Sequence, residues 1–263
     1  MIRFFDTHTH IDFLLQKTRQ SAASLIEESR KANVKHAALM GVCATQFPRI
    51  IRLQKEHPNF FLYGLGLHPL FLNEHQESDL TNLEQILPTL NPPPHLLGEI
   101  GLDRYKEELN REKNWHKQCF FFESQLSIAK KYSLPLSIHA RHSHNEIYRL
   151  LKKYPVTGVV HAFSGSYEEA RRYVELGFKI GVGGVITYER AYKTRSAIAR
   201  LPKEALVLET DSPDMPICGQ QGCINRPSNL PLIFVSLCCL KNEDPENLAE
   251  ILWRNSKVIF NPD

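Results

Sequence analysis

Short apolar runs rich in Leu and β-branched residues recur along the chain, and between them apolar positions repeat every three or four residues. The first pattern is that of buried strands and the second that of amphipathic helices. Their alternation predicts an α/β fold of parallel strands with crossover helices. The runs fall at 4–9, 36–42, 61–67, 95–101, 134–139, 158–162, 178–183 and 206–210. These eight strands suit a closed (β/α)8 TIM barrel, and the 263 residues suit a single barrel domain over 1–263.

Segment 111–131 sets Trp115, Cys119, Phe122, Leu126 and Ala129 on one stripe, and 245–260 does so with Leu248, Ile251, Leu252, Asn255 and Ile259 after Pro245. Such stripes face a core. Pro88, Pro92, Pro93 and Pro94 make 88–94 a loop, because proline lacks the backbone donor that helix and sheet interiors need. Segment 211–229 reads as a long loop after the last strand, where barrel enzymes carry functional loops.

Several strands end in residues that an apolar core rejects: His8 and His10, His68, Glu99, His139, His161 and Asp211. In a barrel these C-terminal ends meet at one mouth. Residues two apart on a strand share a side, so His8 and His10 both face the axis. Carboxylates gathered there repel one another and lose hydration unless cations neutralise them. Imidazole with carboxylate suits Zn2+ or Mn2+, and more carboxylate and water shifts the preference to Mg2+. The metal-ligand candidates are therefore His8, His10, Glu99, His139, His161 and Asp211. A lone buried His is more often a hydrogen-bonded core residue. The His8-x-His10 pair and Glu99, set between Gly98 and Ile100, resist that explanation, and the other three gain force as a set. His36, His57, His75, His95, His116 and His144 read as solvated or structural, and His142 lies near the mouth without a role.

Composition changes this picture little. With 42% hydrophobic residues a large core can be buried, and a net charge of +3 is too small for a nucleic-acid tail. No apolar run approaches the roughly 20 residues that cross a bilayer. The first residues show no secretory pattern, and the six scattered cysteines fit a reducing cytoplasm. Cys218 and Cys223 read as loop residues rather than a zinc clip, since no second pair accompanies them.

Five segments occur in one order along nearly the whole chain: Asp6-Thr7-His8-x-His10-x-Asp12, Gly66-Leu67-His68-Pro69, Gly98-Glu99-Ile100-Gly101-Leu102-Asp103, His161-x-Phe163-Ser164-Gly165 and Glu209-Thr210-Asp211-Ser212-Pro213. In them the chain resembles the TatD family of metal-dependent deoxyribonucleases. Ile180-Gly181-Val182-Gly183-Gly184 with Thr187-Tyr188, and Gly222 through Asn225-Arg226-Pro227, are similar to its YjjV-type branch. The resemblance implies an amidohydrolase-like barrel, two divalent cations and hydrolysis of DNA phosphodiesters. It implies that His8, His10 and Asp211 hold one cation, His139 and His161 the other, and that Glu99 bridges them. Arg104 stands where the family often carries an aromatic residue after Gly-Leu-Asp, and Tyr105 follows it.

Two cations so held activate a water. Asp211 is placed to orient that water and take its proton, with Glu99 as the second catalytic carboxylate. His68, Arg141 and Arg226 are candidates to hold phosphate oxygens; the bland alternatives are a loop cap, a rim salt bridge and a solvated loop. The expected substrate is single-stranded or end-accessible DNA, because a duplex is too wide to carry its phosphates to the base of the mouth. Tyr105, Phe163 or Tyr188 could stack on an entering base. A monomer without an obligate protein partner is expected. A small-molecule amidohydrolase or phosphoesterase could use the same cations, although Glu99 stands where many such enzymes carry a carboxylated lysine. The third reading is a catalytically silent metal-binding interaction protein.

Overall fold

The computed structural model describes residues 2–260. Its eight parallel strands are β1 (Phe4–Thr9), β2 (Val34–Met40), β3 (Phe61–Leu65), β4 (Leu96–Asp103), β5 (Leu136–Arg141), β6 (Gly158–Val160), β7 (Lys179–Val182) and β8 (Leu206–Leu208). They pair in chain order, β1 to β8. The sheet closes through the residues that follow β8: the Asp211 amide donates to His8 O at 3.0 Å and the His10 amide to Ser212 O at 2.7 Å. Side chains strengthen this seam, since Thr210 donates from both its amide and its hydroxyl to the buried Asp6 carboxylate, at 2.9 and 2.6 Å. All eight expected strands are present, with ends displaced by at most two residues.

Helices cover the outside. Along β5, the buried Leu136 and Ile138 join the large apolar cluster shared with the helices, whereas Ser137 reaches inward to the ring of His8. The period-two alternation of a strand thus carries His139 and Arg141 toward the axis with Ser137. The C-terminal helix Pro245–Phe260 lies against β1 and β8, and buried Asn255 donates to Lys203 O and Leu206 O at 2.9 and 2.7 Å.

Helix Glu112–Tyr132 differs from its expected stripe. Trp115 and Cys119 are only half-buried, while Gln118 and Gln125 are fully buried. Both glutamines satisfy backbone beyond the last paired residues of β3 with β4. Gln125 accepts from Leu67 N at 2.7 Å and donates to Leu67 O at 3.1 Å; Gln118 accepts from Asp103 N at 2.9 Å. Buried backbone groups need such partners, so these polar residues hold the ends of β3 and β4 where they bend into the mouth. Loop 88–94 opens with a short 3-10 turn, Leu87–Thr89.

Candidate metal centre

Glu99 lies at the centre of the mouth, on β4 and buried. Its position depends on Gly66: a Cβ there would fall 2.5 Å from Glu99 O, so only glycine lets the chain after β3 pass behind β4. The two carboxylate oxygens face different partners. Oε2 lies 3.2 Å from both His8 Nε2 and His10 Nε2. Oε1 lies 2.6 Å from His161 Nε2, 2.9 Å from His68 Nε2 and 3.2 Å from His139 Nδ1. Asp211 adds Oδ1 beside the first pair, 3.7 Å from His8 and 3.5 Å from His10. The rings of His8 and His161 stack at 3.7 Å, which closes the two groups against each other.

The outward nitrogen of each ring shows which inward nitrogen has a free lone pair. His10 Nδ1 donates to Met40 O at 3.2 Å, and His139 Nε2 donates to Asp103 Oδ2 at 2.9 Å. When neutral, both rings therefore turn an unprotonated nitrogen toward Glu99. A lone pair 3.2 Å from a carboxylate oxygen is repulsive unless a cation stands between them. Protons answer this demand in part: burial opposes the charged ring, but the neighbouring carboxylates raise His10 and His139 to about 9. Both ring nitrogens of His161 are buried and lack a hydrogen-bond partner, although Nε2 lies so near Glu99. His8 is the remaining ring of this kind; its Nδ1 meets Ser137 Oγ at 2.8 Å. This donor set fits divalent cations, and the rings of His8, His10 and His139 are each oriented by a group behind them.

His68 behaves differently. Its Nδ1 accepts from Leu70 N at 3.0 Å, so the neutral ring carries its proton on Nε2, which points at Glu99. Burial lowers this ring to about 4. Its atoms lie within ligand range of Glu99 and His139, but in this neutral form His68 presents a hydrogen-bond donor toward Glu99.

Burial raises the carboxyl of Asp211, and its backbone adopts a left-handed φ of 58°. The side chains of Ala162, with φ 43°, and His142, with φ 54°, also leave left-handed positions at this mouth. Backbone of that kind is costly for non-glycine residues and collects at functional sites. Glu209, buried behind His161, accepts a hydrogen bond from the Ala162 amide and so braces that turn.

A cavity of about 680 Å³ opens above Glu99. Phe13, Leu70 and Phe71 line it, as do Tyr105, Lys106, Arg141 and His142. Of the residues singled out from sequence, His10, His68, Glu99, His139, Arg141, His161 and Asp211 line this space, and His8 lies directly beneath. Arg226 does not reach it. Its guanidinium is tied to Glu28 at 3.1 Å and Gln20 at 2.8 Å, away from the mouth. Two stacking candidates also fail. Phe163 is buried in the core, and the Tyr188 hydroxyl is held by Pro216 O at 2.7 Å; Tyr105 is exposed at the rim. Cys218 and Cys223 are exposed and belong to none of the metal-ligand groups among the described residues. His75 is structural, as expected, and pins His68 O at 2.9 Å.

Asp103 was not among the sequence candidates. It stands four residues after Glu99, on the same face of β4, and an even spacing along one strand is the signal that finds it.

The family profile described as TatD related DNase matches residues 5–261. A Haemophilus influenzae protein described as an uncharacterized metal-dependent hydrolase is 48% identical over 98% of this chain and 100% of its own length. A Rahnella protein described as the 3'-5' ssDNA/RNA exonuclease TatD is 30% identical, with 90% of each chain covered. The crystal structure of the TatD homologue YjjV from Escherichia coli superposes with a TM-score of 0.92 at 38% identity, covering 99% of this chain and 98% of that one. The barrel, the carboxylate set among strand-end histidines and the length of these matches agree: the chain belongs to the TatD family of metal-dependent hydrolases.

Proposed function

We propose that the protein is a deoxyribonuclease that hydrolyses phosphodiester bonds from the ends of single strands with two divalent cations. The observation that carries this reading is the division of Glu99: one oxygen faces His8 and His10 beside Asp211, and the other faces His139 and His161. His8, His10 and Asp211 would hold one cation, and His139 and His161 the other, with Glu99 shared between them. When bound, Zn2+, Mn2+ or Mg2+ supplies an ionised water and neutralises phosphoryl charge.

The chain's own groups do the rest. Asp211 orients the water and accepts its proton as oxygen bonds to phosphorus and the ester P–O bond breaks. The leaving oxygen takes a proton from solvent at the open mouth. His68 Nε2–H, already aimed into the site, donates to a phosphate oxygen. Depth selects the end of a strand, since Glu99 and His139 lie on strands rather than loop tips, and a duplex must fray to deliver its phosphate there. The name of the Rahnella relative, at 30% identity, supports the same substrate class.

The test is a time course on end-labelled single strands, blunt duplexes and closed circles, with and without chelator. Stepwise shortening of the strands with circles intact is expected, and chelator stops it. Asp211→Asn keeps the side-chain shape but removes the base, and turnover falls about 10²–10⁴-fold. Equal cutting of circles excludes end selection. Hydrolysis of an amide or lactone panel, with no DNA cut, transfers the site to small-molecule chemistry.

A further inference from the structure

Arg141 is the last residue of β5, two beyond His139, so both side chains leave the strand on the same side. About 6–7 Å of strand separates them, roughly the reach of one nucleotide. His139 stands at Glu99, and Arg141 is exposed above it in the cavity wall. The guanidinium carbon lies over the Tyr105 ring, 3.5 Å from its centre, and the group makes no ion pair within 4 Å among the described residues, although its charge is felt at Asp103. Tyr105 is 56% exposed, a large ring left in water at the edge of a cavity. It is nevertheless fixed. Asp103 Oδ1 accepts from Tyr105 N at 2.7 Å, and His142 meets the ring edge-on at 5.5 Å. The strand ladder sets Asp103 beside Arg141, so the stack is built on adjacent strand ends. Lys106 adds positive charge on this wall, whereas Asp214 on the far rim is paired with Lys17 at 3.4 Å.

A guanidinium held over an aromatic ring and exposed in a cavity keeps N–H donors available and is preorganised for a phosphate. We propose that Arg141, laid on Tyr105, binds the phosphate adjacent to the scissile one. The preferred substrate is then an oligonucleotide segment with two consecutive phosphates, and isolated diesters are poor substrates. This rests on the nuclease reading above and specifies how that site measures its substrate.

Thymidine dinucleotide, and the same dinucleotide carrying an extra 5' or 3' phosphate, test it by the ratio of kcat/KM with and without that phosphate. In the parent protein one phosphorylated form is favoured about 10–100-fold, the scale of one charge-assisted contact. In Arg141→Ala the ratio collapses toward one. Arg141→Lys keeps charge without the planar fork and retains part of it, and Tyr105→Ala, which keeps the charge but frees its position, lowers it as well. Because both residues are exposed, unchanged thermal midpoints are expected. A parent that ignores the extra phosphate, or an Arg141→Ala that keeps the preference, overturns the assignment while nuclease activity on longer strands stands. If the parent cuts neither dinucleotides nor end-labelled strands, the nuclease reading fails and the subsite fails with it.

Discussion

Replacing Asp103 by Asn should weaken binding of one cation without unfolding the barrel. The buried carboxylate accepts from two donors at once: Tyr105 N on Oδ1 at 2.7 Å and His139 Nε2 on Oδ2 at 2.9 Å. Burial raises this carboxyl, but the hydrogen bond and charge of His139 outweigh it and bring it below its usual range. An amide of the same shape offers one acceptor and one donor. If its oxygen stays with Tyr105, its NH2 faces His139 and selects the ring form protonated on Nδ1, the nitrogen that must face the cation. If it flips, two donors oppose each other at Tyr105 and the rim loosens. Loss of a carboxylate behind a metal-bound histidine costs about 10–100-fold in affinity, or roughly 1.4–2.8 kcal/mol at 1.4 kcal/mol per tenfold. Metal-stripped protein titrated against a chelating fluorophore gives the affinities, and the 15N shifts of the His139 ring report its tautomer. A variant with the parent's affinity for both cations and the parent's tautomer would refute the role given to Asp103.

Three further outcomes concern the scaffold. Gly101 has φ 148° and a Cβ there would fall 2.0 Å from His139 O, so Gly101→Ala should lower stability by about 3 kcal/mol or more, seen as a drop of roughly 6–12 °C in Tm; a midpoint within about 2 °C of the parent contradicts so close an approach of β4 and β5. Asn255→Leu leaves two buried carbonyls without their donor and should cost roughly 1–3 kcal/mol in urea unfolding. Glu169 caps helix Tyr167–Glu175, and although burial raises its carboxyl, hydrogen bonds from Ser166 hold it at about 2, against 4.5 ordinarily. A folded-state value below the unfolded one gives stability that is present above pH 4.5 and lost as pH falls toward 2. The deficit of Glu169→Gln, about 1 kcal/mol near neutrality, should therefore shrink in acid, and a deficit that grows there contradicts this account.

The barrel and the gathering of strand-end histidines and carboxylates at its mouth were legible because both follow from periodicity: apolar runs mark strands, and polar residues closing such runs mark the mouth. The residues that escaped notice are those whose role needs a partner from elsewhere in the chain. Gln118 and Gln125 interrupt no pattern, yet they satisfy backbone at Asp103 and Leu67. His68 and His139 are both strand-end histidines, and only Leu70 N behind one and Asp103 behind the other separates donor from ligand. Arg226 is a loop arginine like many phosphate binders, and nothing local announces that Glu28 claims it.

The seam between β1 and the residues after β8 has a consequence for how the protein comes to exist. His8 lies on the first strand of the barrel to be made, and Asp211 belongs to the stretch whose amide and carbonyl partners close the barrel against it. During synthesis, Glu99 and the histidines of the middle strands can assemble before the closing strand leaves the ribosome, but the pocket at His8 and His10 cannot be completed without it. The proposed hydrolytic centre is therefore born late, only in chains that have finished their barrel. A cation held by His8, His10 and Asp211, as proposed, would fasten β1 to the segment after β8. Stripping the cation should then speed amide exchange first at Asp211 and His10, the amides that cross the closure.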